Sequence, residues 1–302
     1  MATHEKRSLV RSAFFVGATL VAIAAQTGAA GSAPTQSSRI FRISLAPQGG
    51  LDSIDPALSY TPAGWALIDP TCARLMAYPD KPPPAGYQPV PEVAAGRPKV
   101  SRDLKTFTFT LRRGFRFSDG TPVRASSFAR AINRMLAPAM KSPGAGYVRD
   151  IVGADEVLAG TRPTVRGVVA LGYKLVVRFT RPAPDFATRT TLPFFCAVPR
   201  NFPPDPEGVR APPGAGPYYV SDYRPGERLV LRRNRFYAGN RPHHVSGFDV
   251  DLRVASPNEM IQRIDREEAD WATTLPPSSS TRRSRSSRST ASTARASFSR
   301  RA

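Results

Sequence analysis

The chain of 302 residues contains only three histidines and two cysteines, and its 23 acidic residues are outnumbered by 43 basic ones. His4 lies in the N-terminal segment, and the neighbours His243 and His244 cannot both point into one site from a strand. A metal centre needs more ligands at suitable spacing than these histidines provide. The sequence therefore predicts no metal site and no cofactor.

The two cysteines, Cys72 and Cys196, each lie in a short apolar segment. Neither has a histidine or aspartate nearby in sequence that would serve as a catalytic partner. In an oxidising compartment an even pair of cysteines favours a disulfide. The alternative is two buried free thiols, so the choice depends on whether the chain is exported.

No acidic residue offsets the seven arginines of residues 278–302, and this segment carries much of the formal charge of +20. Residues 1–12 contribute a further +2, which leaves +11 for the rest of the chain. The arginines of that central part alternate with apolar residues or lie in loops, without the aromatic residues of a nucleic-acid motif. The distribution predicts that nucleic acid is not a partner.

The longest apolar run near the N-terminus, residues 13–25, is shorter than the roughly 20 residues of a membrane-spanning helix. Basic residues precede the run and small residues follow it, which is typical of a secretory signal peptide over residues 1–33. A membrane anchor is the alternative. Because no cysteine lies directly after the run, we expect no lipoprotein anchor. We expect an exported protein in the periplasm or cell envelope.

Residues 103–136 combine a strand, a tight turn and a helix. Phe107, Phe109 and Leu111 alternate with polar residues, which predicts a half-buried strand. Residues 118–122 contain the glycine and proline of a turn. Beyond it Phe128, Ile132, Met135 and Leu136 recur at helical spacing, with Arg130, Asn133 and Arg134 pointing elsewhere. The pattern predicts an α/β core.

This stretch resembles the extracellular solute-binding proteins of family 5, the binding components of ATP-driven importers of peptides, nickel and related solutes. The residues that match the family's signature are Asp103, Phe107, Phe109, Leu111, Arg112, Phe117, Ser118, Asp119, Gly120 and Pro122. The family usually has an acidic residue at the start of the helix, where this chain has Ser127. That departure weakens a favourable contact with the helix dipole.

The resemblance implies an α/β fold of the periplasmic-binding-protein type II, with residues 34–277 forming the first lobe and its small subdomain. We expect one mixed sheet that contains strands at residues 40–46, 106–111 and 174–179. We expect the second lobe to be missing from this chain. Residues 278–302 are predicted to be a disordered Ser/Arg-rich tail, either the product of a lost reading frame near residue 277 or an authentic Arg/Ser segment.

A second match, around Asp55 and Pro56, implies that the preceding backbone lies along the bound solute. Asp55 could also simply cap a helix running through Trp65 and Ile68. The resemblance implies ligand contacts from one short stretch of chain and one nearby aromatic residue. These residues are Gly49, Gly50, Leu51, Asp52 and Tyr60.

Two further stretches concern local structure, and the first of them, residues 211–237, also resembles the family. The glycine-rich residues 211–217 precede alternating strands joined by Pro225 and Gly226, which predicts a β-hairpin. A phosphate-binding loop is disfavoured, because no helix opens after Gly216. Ser256 and Glu259 form a capping box that predicts a helix.

Three functions stay open. The first is a monomeric, non-enzymatic subunit that presents a peptide or another small solute to an ABC permease, with weak or no binding in this chain because the second lobe is absent. The second is a secreted hydrolase that uses Asp249 and Asp251, two acids on one face of a strand. The third is a degenerate scaffold that binds nothing.

Overall fold

A computed structural model describes residues 39–45, 51–254 and 256–273. The predicted signal peptide and tail lie outside these ranges. The strands are β1 (Ile40–Ser44), β2 (Met76–Ala77), β3 (Val90–Pro91), β4 (Lys99–Val100), β5 (Thr106–Thr110), β6 (Val168–Leu171), β7 (Lys174–Arg178), β8 (Tyr218–Arg224), β9 (Arg228–Arg233), β10 (Gly247–Asp251) and β11 (Trp271–Ala272). The helices are α1 (Pro62–Ile68), α2 (Ala125–Leu136), α3 (Ala154–Leu158), α4 (Phe186–Arg189) and α5 (Pro257–Asp265).

A five-stranded mixed sheet has the order β11-β1-β10-β9-β8. Strand β1, the first in the chain, is parallel to both of its neighbours, β10 and β11. Strand β9 is antiparallel to both β10 and β8. Leu229, Leu231 and Val250 supply fully buried side chains on one face of this sheet. The mixed sheet of the predicted α/β fold is therefore present.

A separate four-stranded antiparallel sheet has the order β4-β5-β7-β6. Phe107 lies opposite Val177 and Phe109 lies opposite Leu175, and all four side chains are buried in the main core. Helix α2 packs onto this core through Phe128, Ile132, Met135 and Leu136, the residues whose helical spacing predicted its apolar face. The strand, its buried face and the helix are confirmed.

The prediction of one sheet containing residues 40–46, 106–111 and 174–179 is wrong. The first of these strands lies in the mixed sheet, and the other two pair with each other in the antiparallel sheet. Alternation along a strand tells which of its faces is buried, but carries no information about its partner strand. For that reason the alternation predicted the strands but not the sheet to which each belongs.

The turn between β5 and α2 has the predicted form. Gly120 has a φ of +84°, a conformation that glycine adopts without strain. The Asp119 carboxylate accepts hydrogen bonds from the backbone and the hydroxyl of Thr121, at 2.9 and 2.6 Å. The Asp119 side chain therefore satisfies two donors of the turn, while the Ser118 backbone N–H donates to the carbonyl oxygen of Gly214 at 2.8 Å.

The β8–β9 hairpin is confirmed, and Gly226 has a φ of +74° in its turn. Gly216, just before β8, fulfils a packing requirement. A Cβ atom at this position would lie 2.5 Å from the carbonyl oxygen of Pro70 and 2.7 Å from the backbone nitrogen of Cys72. The glycine-rich stretch thus allows two backbone segments to approach each other beside the cysteine.

Helix α5 begins with the predicted cap, since the Ser256 hydroxyl accepts a hydrogen bond from the Glu259 backbone N–H at 3.2 Å. In the described part of the chain, none of the helices combines the length and the apolar character needed to cross a bilayer.

An ion cluster fastens the short strand β11 to the edge of the mixed sheet. The Asp270 carboxylate accepts hydrogen bonds from the backbone N–H of Arg42 at 2.8 Å and from its guanidinium at 3.2 and 3.3 Å, and it also pairs with Arg39. The hydrogen bonds from the Arg42 side chain lower the pKa of Asp270 to about 2, although partial burial opposes the shift.

We expect this cluster to make stability depend on pH. Because the folded pKa of Asp270 is depressed, its contribution is present above pH 4 and is lost as the pH falls through about 2. Because the guanidinium groups of Arg39 and Arg42 are exposed, solvent screens the interaction and reduces its contribution to about 1 kcal/mol. The free energy of unfolding, measured with urea, should be higher for wild type than for Asp270→Asn at pH 5, and this difference should shrink by about 1 kcal/mol at pH 2. An equal gap at both pH values would contradict this, and the exposed Asp80→Asn is the control.

Candidate functional site

Of the five predicted ligand residues, Gly49 and Gly50 lie outside the described ranges, and the structure places the other three near one another. The Asp52 carboxylate accepts hydrogen bonds from the backbone N–H groups of Ser53, Tyr60 and Thr61 at 2.9, 2.5 and 3.0 Å. It also accepts from the hydroxyl groups of Ser59 and Thr61 at 3.1 and 2.7 Å. The Asp52 side chain therefore holds the loop of residues 51–60 closed.

Leu51 and Tyr60 take different positions in this loop. The Leu51 side chain is half-buried against the core of the mixed sheet. The Tyr60 side chain, in contrast, is 57% exposed. Of the described predicted ligand residues, Tyr60 thus offers the large exposed apolar surface, and Asp52 fixes its backbone.

Helix α1 begins directly after Tyr60, and its cap is Thr61 rather than Asp55. The Thr61 hydroxyl accepts a hydrogen bond from the Gly64 backbone N–H at 3.2 Å. Gly64 is required by space, because a Cβ atom there would lie 2.1 Å from the Ser59 hydroxyl oxygen and 2.5 Å from a carboxylate oxygen of Asp52. The interpretation of Asp55 as the cap of this helix is wrong.

We expect Asp52→Asn to destabilise the chain by about 1–2 kcal/mol, since an amide cannot accept all five hydrogen bonds and leaves donors without partners. Desolvation raises the pKa of Asp52, but hydrogen bonds from Tyr60, Thr61 and Ser53 outweigh it and leave the pKa lowered, so wild type loses this contribution only in acid. Urea unfolding at neutral pH checks the loss. Asp205→Asn, in an exposed turn with one bond to Glu207, is the control. An equal loss of stability in Asp52→Asn and Asp205→Asn would contradict the role of Asp52 in holding the loop of residues 51–60.

Asp55 instead forms a buried ion pair with Arg134 of α2. The two guanidinium NH groups donate to the two carboxylate oxygens at 2.9 and 2.8 Å, and Asp55 is fully buried. The same carboxylate accepts from the backbone N–H groups of Ala57 and Val209 at 3.0 and 3.1 Å. This pair joins the loop of residues 51–60 to α2 and to a third segment of the chain.

The sequence prediction that Arg134 points away from the core is wrong. Its side chain is 5% exposed, its guanidinium lies 4.2 Å from the centre of the Phe202 ring, and its Nε donates to the carbonyl of Pro203 at 3.0 Å. Burial of an arginine is tolerated where each donor has a partner. The carboxylate lies 79 residues away in sequence, so helical periodicity could not have indicated it.

Around Tyr60 lies a cluster that sequence reasoning missed, which we call the aromatic surface: Tyr60, Trp65, Tyr147 and Phe194. The Tyr60 ring stacks on Phe194 with ring centres 6.2 Å apart and meets Trp65 edge to face at 6.0 Å. Phe194 is buried and also contacts Trp65 at 5.8 Å and Tyr147 at 5.6 Å. The pKa of the Tyr147 hydroxyl is raised mainly by burial, and a hydrogen bond with Tyr60 raises it further.

A disulfide bond lies next to the turn that carries Phe194 of the aromatic surface. Cys72 and Cys196 form a disulfide bond, with Cα atoms 5.2 Å apart and a sequence separation of 124. Both cysteines are buried beside Ile68 of α1. Cys196 follows the turn Pro193–Phe195 that carries Phe194. The disulfide therefore connects the support of Tyr60 to the segment that follows α1.

The acids proposed for hydrolysis do not have the surroundings of an acid–base pair. Asp249 accepts two hydrogen bonds from Arg228, at 2.7 and 2.5 Å. Desolvation raises the pKa of Asp251, but hydrogen bonds from Arg253 and Arg263 outweigh it and leave the pKa lowered. A general acid needs a proton near neutral pH, so a lowered pKa opposes that role.

The two histidines of the central chain are not placed to hold a metal ion within the described ranges. His243 has its Nδ1 atom 2.8 Å from the carbonyl oxygen of Arg241. Across residues 39–45, 51–254 and 256–273, no group of three or more His, Cys, Asp or Glu residues is placed to hold a metal ion.

Comparison with known sequences gives one family. The profile of the bacterial extracellular solute-binding proteins, family 5 Middle, matches residues 88–298. The periplasmic oligopeptide-binding protein OppA of Escherichia coli (strain K12) is 34% identical over 178 residues, which are 56% of this chain and 33% of that protein. Protein XP55 of Streptomyces lividans is 30% identical over 274 residues, which are 88% of this chain and 44% of that protein.

Solved structures agree with the observed fold. Clavulanic acid biosynthesis oligopeptide binding protein 2 matches with a TM-score of 0.71 and 28% identity, over 82% of this chain and 47% of that one. Haemophilus influenzae OppA in complex with RPPGFSPFR matches with a TM-score of 0.65 and 22% identity, over 81% and 48%, which is a likeness of fold alone. The chain spans less than half the length of these proteins.

Proposed function

The chain belongs to the bacterial extracellular solute-binding proteins of family 5, and we propose that it binds peptide-like solutes for an ABC importer without catalysing a reaction. Two of the relatives described above are oligopeptide-binding proteins by name. The ion-paired state of Asp249 and Asp251 disfavours hydrolysis.

The aromatic surface and the loop of residues 51–60 are the proposed peptide contact. The observation that carries this proposal is the geometry of Tyr60, which is exposed on one side, stacked on buried Phe194 on the other and fixed at its backbone by Asp52. An exposed ring that is already ordered loses little entropy when a ligand packs onto it. Gly49 and Gly50 would extend this contact along the peptide backbone.

We also propose the location, oligomeric state and domain organisation of the protein. Residues 1–33 would direct export to the periplasm or cell envelope without a lipid anchor, and the exported chain would act as a monomer with a permease in the membrane. Residues 34–277 would form the first lobe with its small subdomain, ahead of the Ser/Arg-rich tail.

We propose that this chain alone binds peptides weakly. The described residues offer the aromatic surface to a ligand from one side, so the ligand's opposite face and many of its polar groups stay in water. A hydrogen bond that competes with water contributes only about 1 kcal/mol. The lost translational and rotational freedom, at least about 4 kcal/mol, offsets several such bonds. We expect half-saturation at about 0.1 mM or above, a binding free energy of no more than about 5.5 kcal/mol.

Trp65 provides a direct test, because it lies in the aromatic surface and the chain has only two tryptophans. In a Trp271→Phe background, titration with the peptide RPPGFSPFR should change Trp65 fluorescence. Tyr60→Ser should weaken binding about three- to tenfold through the loss of aromatic packing. Tyr87→Ser, another exposed tyrosine away from the cluster, should leave it unchanged. Equal binding by the Tyr60 and Tyr87 variants would contradict the proposed contact.

A further inference from the structure

A cleft of about 960 Å³ lies between the mixed sheet and the segment that joins β2 to β3. Its sheet wall is aromatic: Phe248 meets Phe41 edge to face at 6.1 Å and Tyr218 at 4.8 Å. Tyr78, 48% exposed, lines the opposite wall. Leu51, Asp52 and Tyr60 do not line this cleft, so it is distinct from the aromatic surface. Its volume is within the range of small-molecule sites.

Charged side chains form the rest of the lining. Arg241 pairs with Glu92 at 2.8 Å and with Asp69 at 3.3 Å, and Arg74 also pairs with Asp69. Arg112 and Lys81 line the cleft too, and neither forms an ion pair within the described part of the chain. The lining has four Arg or Lys side chains and three Asp or Glu side chains, which gives a net positive charge. The cleft therefore favours an anion.

Two hydrogen-bond donors of the cleft residues lack acceptors. Across the described ranges, the buried side-chain nitrogen and oxygen atoms without a hydrogen-bond partner are the Nε atoms of Arg74 and Arg112. Both residues line this cleft, and the Arg74 side chain is 10% exposed. Both Nε atoms are shielded from solvent, and the terminal nitrogens of Arg74 already donate to Thr191 and Asp69. A ligand in the cleft would therefore meet the terminal nitrogens of Arg112 and the ammonium group of Lys81, which offer only donors and call for an acceptor. A carboxylate has two acceptor oxygens and the planar geometry that matches a guanidinium.

We propose that the cleft binds a small organic anion that carries a carboxylate on an aromatic or branched apolar body. The carboxylate lies beside the guanidinium group of Arg112 and the ammonium group of Lys81, and the apolar body packs against Phe41, Tyr218 and Phe248. This site is additional to the peptide contact and does not depend on it.

The test uses 3-phenylpropionate and its neutral isostere 3-phenylpropionamide, with binding to the whole chain followed by saturation-transfer NMR. We expect the acid to bind at least tenfold more tightly than the amide. Arg112→Gln should weaken the acid at least tenfold, whereas Arg113→Gln, whose guanidinium stacks on Tyr173 outside the cleft, should not change it. Lys81→Gln, an exposed position, should weaken the acid severalfold, so a folding defect of the Arg112 variant would not leave the proposal untested.

The proposal would be overturned if the acid showed no saturable binding up to about 10 mM, which corresponds to a very weak dissociation constant. It would also be overturned by equal affinity for the acid and the amide, or by loss of acid binding in Tyr60→Ser. The last result would assign the acid to the aromatic surface. Conversely, peptide titration of Trp65 should be unaffected by Arg112→Gln, so the two proposed sites can fail separately.

Discussion

Replacement of Arg134 by methionine is expected to destabilise the chain by about 3–5 kcal/mol. The substitution keeps the length of the side chain but leaves the Asp55 carboxylate buried without its counter-charge, and an uncompensated buried charge is costly. The loss equals a large fraction of the stability of an ordinary domain. Urea unfolding at neutral pH measures it.

A second variant separates the ion pair from the volume of the side chain. Combining Arg134→Met with Asp55→Asn removes both charges, so the double variant should lose less stability than the two single losses added together. Arg149→Met, at an exposed pair with Asp155 separated by 3.4 Å, should change stability by less than about 1 kcal/mol. If the Arg134 and Arg149 variants were equally stable, the proposed role of the buried pair would be refuted.

Loss of the disulfide has the second large expected effect. Replacing both Cys72 and Cys196 by alanine should destabilise the chain by about 4–5 kcal/mol in the chain-entropy model, because the bond closes a loop between residues 124 apart. The same change should increase the mobility of the turn that carries Phe194, and thereby weaken the support of Tyr60. Thermal unfolding with and without reducing agent measures the stability effect.

The double alanine variant serves as the control for the effect of reducing agent. Reducing agent should lower the melting temperature of the wild type and leave that of the double alanine variant unchanged. Titration of free thiols after unfolding in non-reducing buffer should find none in the exported wild type. Two reactive thiols in that experiment would show that the bond does not form in the exported protein.

Local features of the fold could be predicted because their causes are local. Alternation predicted the buried face of β5, helical spacing predicted the apolar face of α2, and Ser256 with Glu259 predicted the start of α5. Gly226 marked the hairpin turn. In each case, residues within a few positions of one another determine the backbone conformation.

The assignment of strands to sheets and the surroundings of the site could not be predicted, because they depend on contacts between distant residues. Asp55 and Arg134 are 79 positions apart, and the aromatic surface combines four rings between residues 60 and 194. The family resemblance indicated Tyr60 and Asp52, but not that Asp52 would serve to hold the loop. The roles of Gly49, Gly50 and Leu51 at a ligand stay predictions.

Photo-crosslinking tests the central claim, that a peptide packs on the aromatic surface, most directly. A peptide RPPGFSPFR with a benzophenone group in place of the first phenylalanine would be irradiated with the chain, and the attachment points found by mass spectrometry. We predict attachment to residues 51–65, 147 or 194, with loss of these products on competition with unlabelled peptide and in Tyr60→Ser. Attachment confined to the walls of the cleft, such as Tyr78 or Phe248, or scattered over the surface without competition, would contradict it.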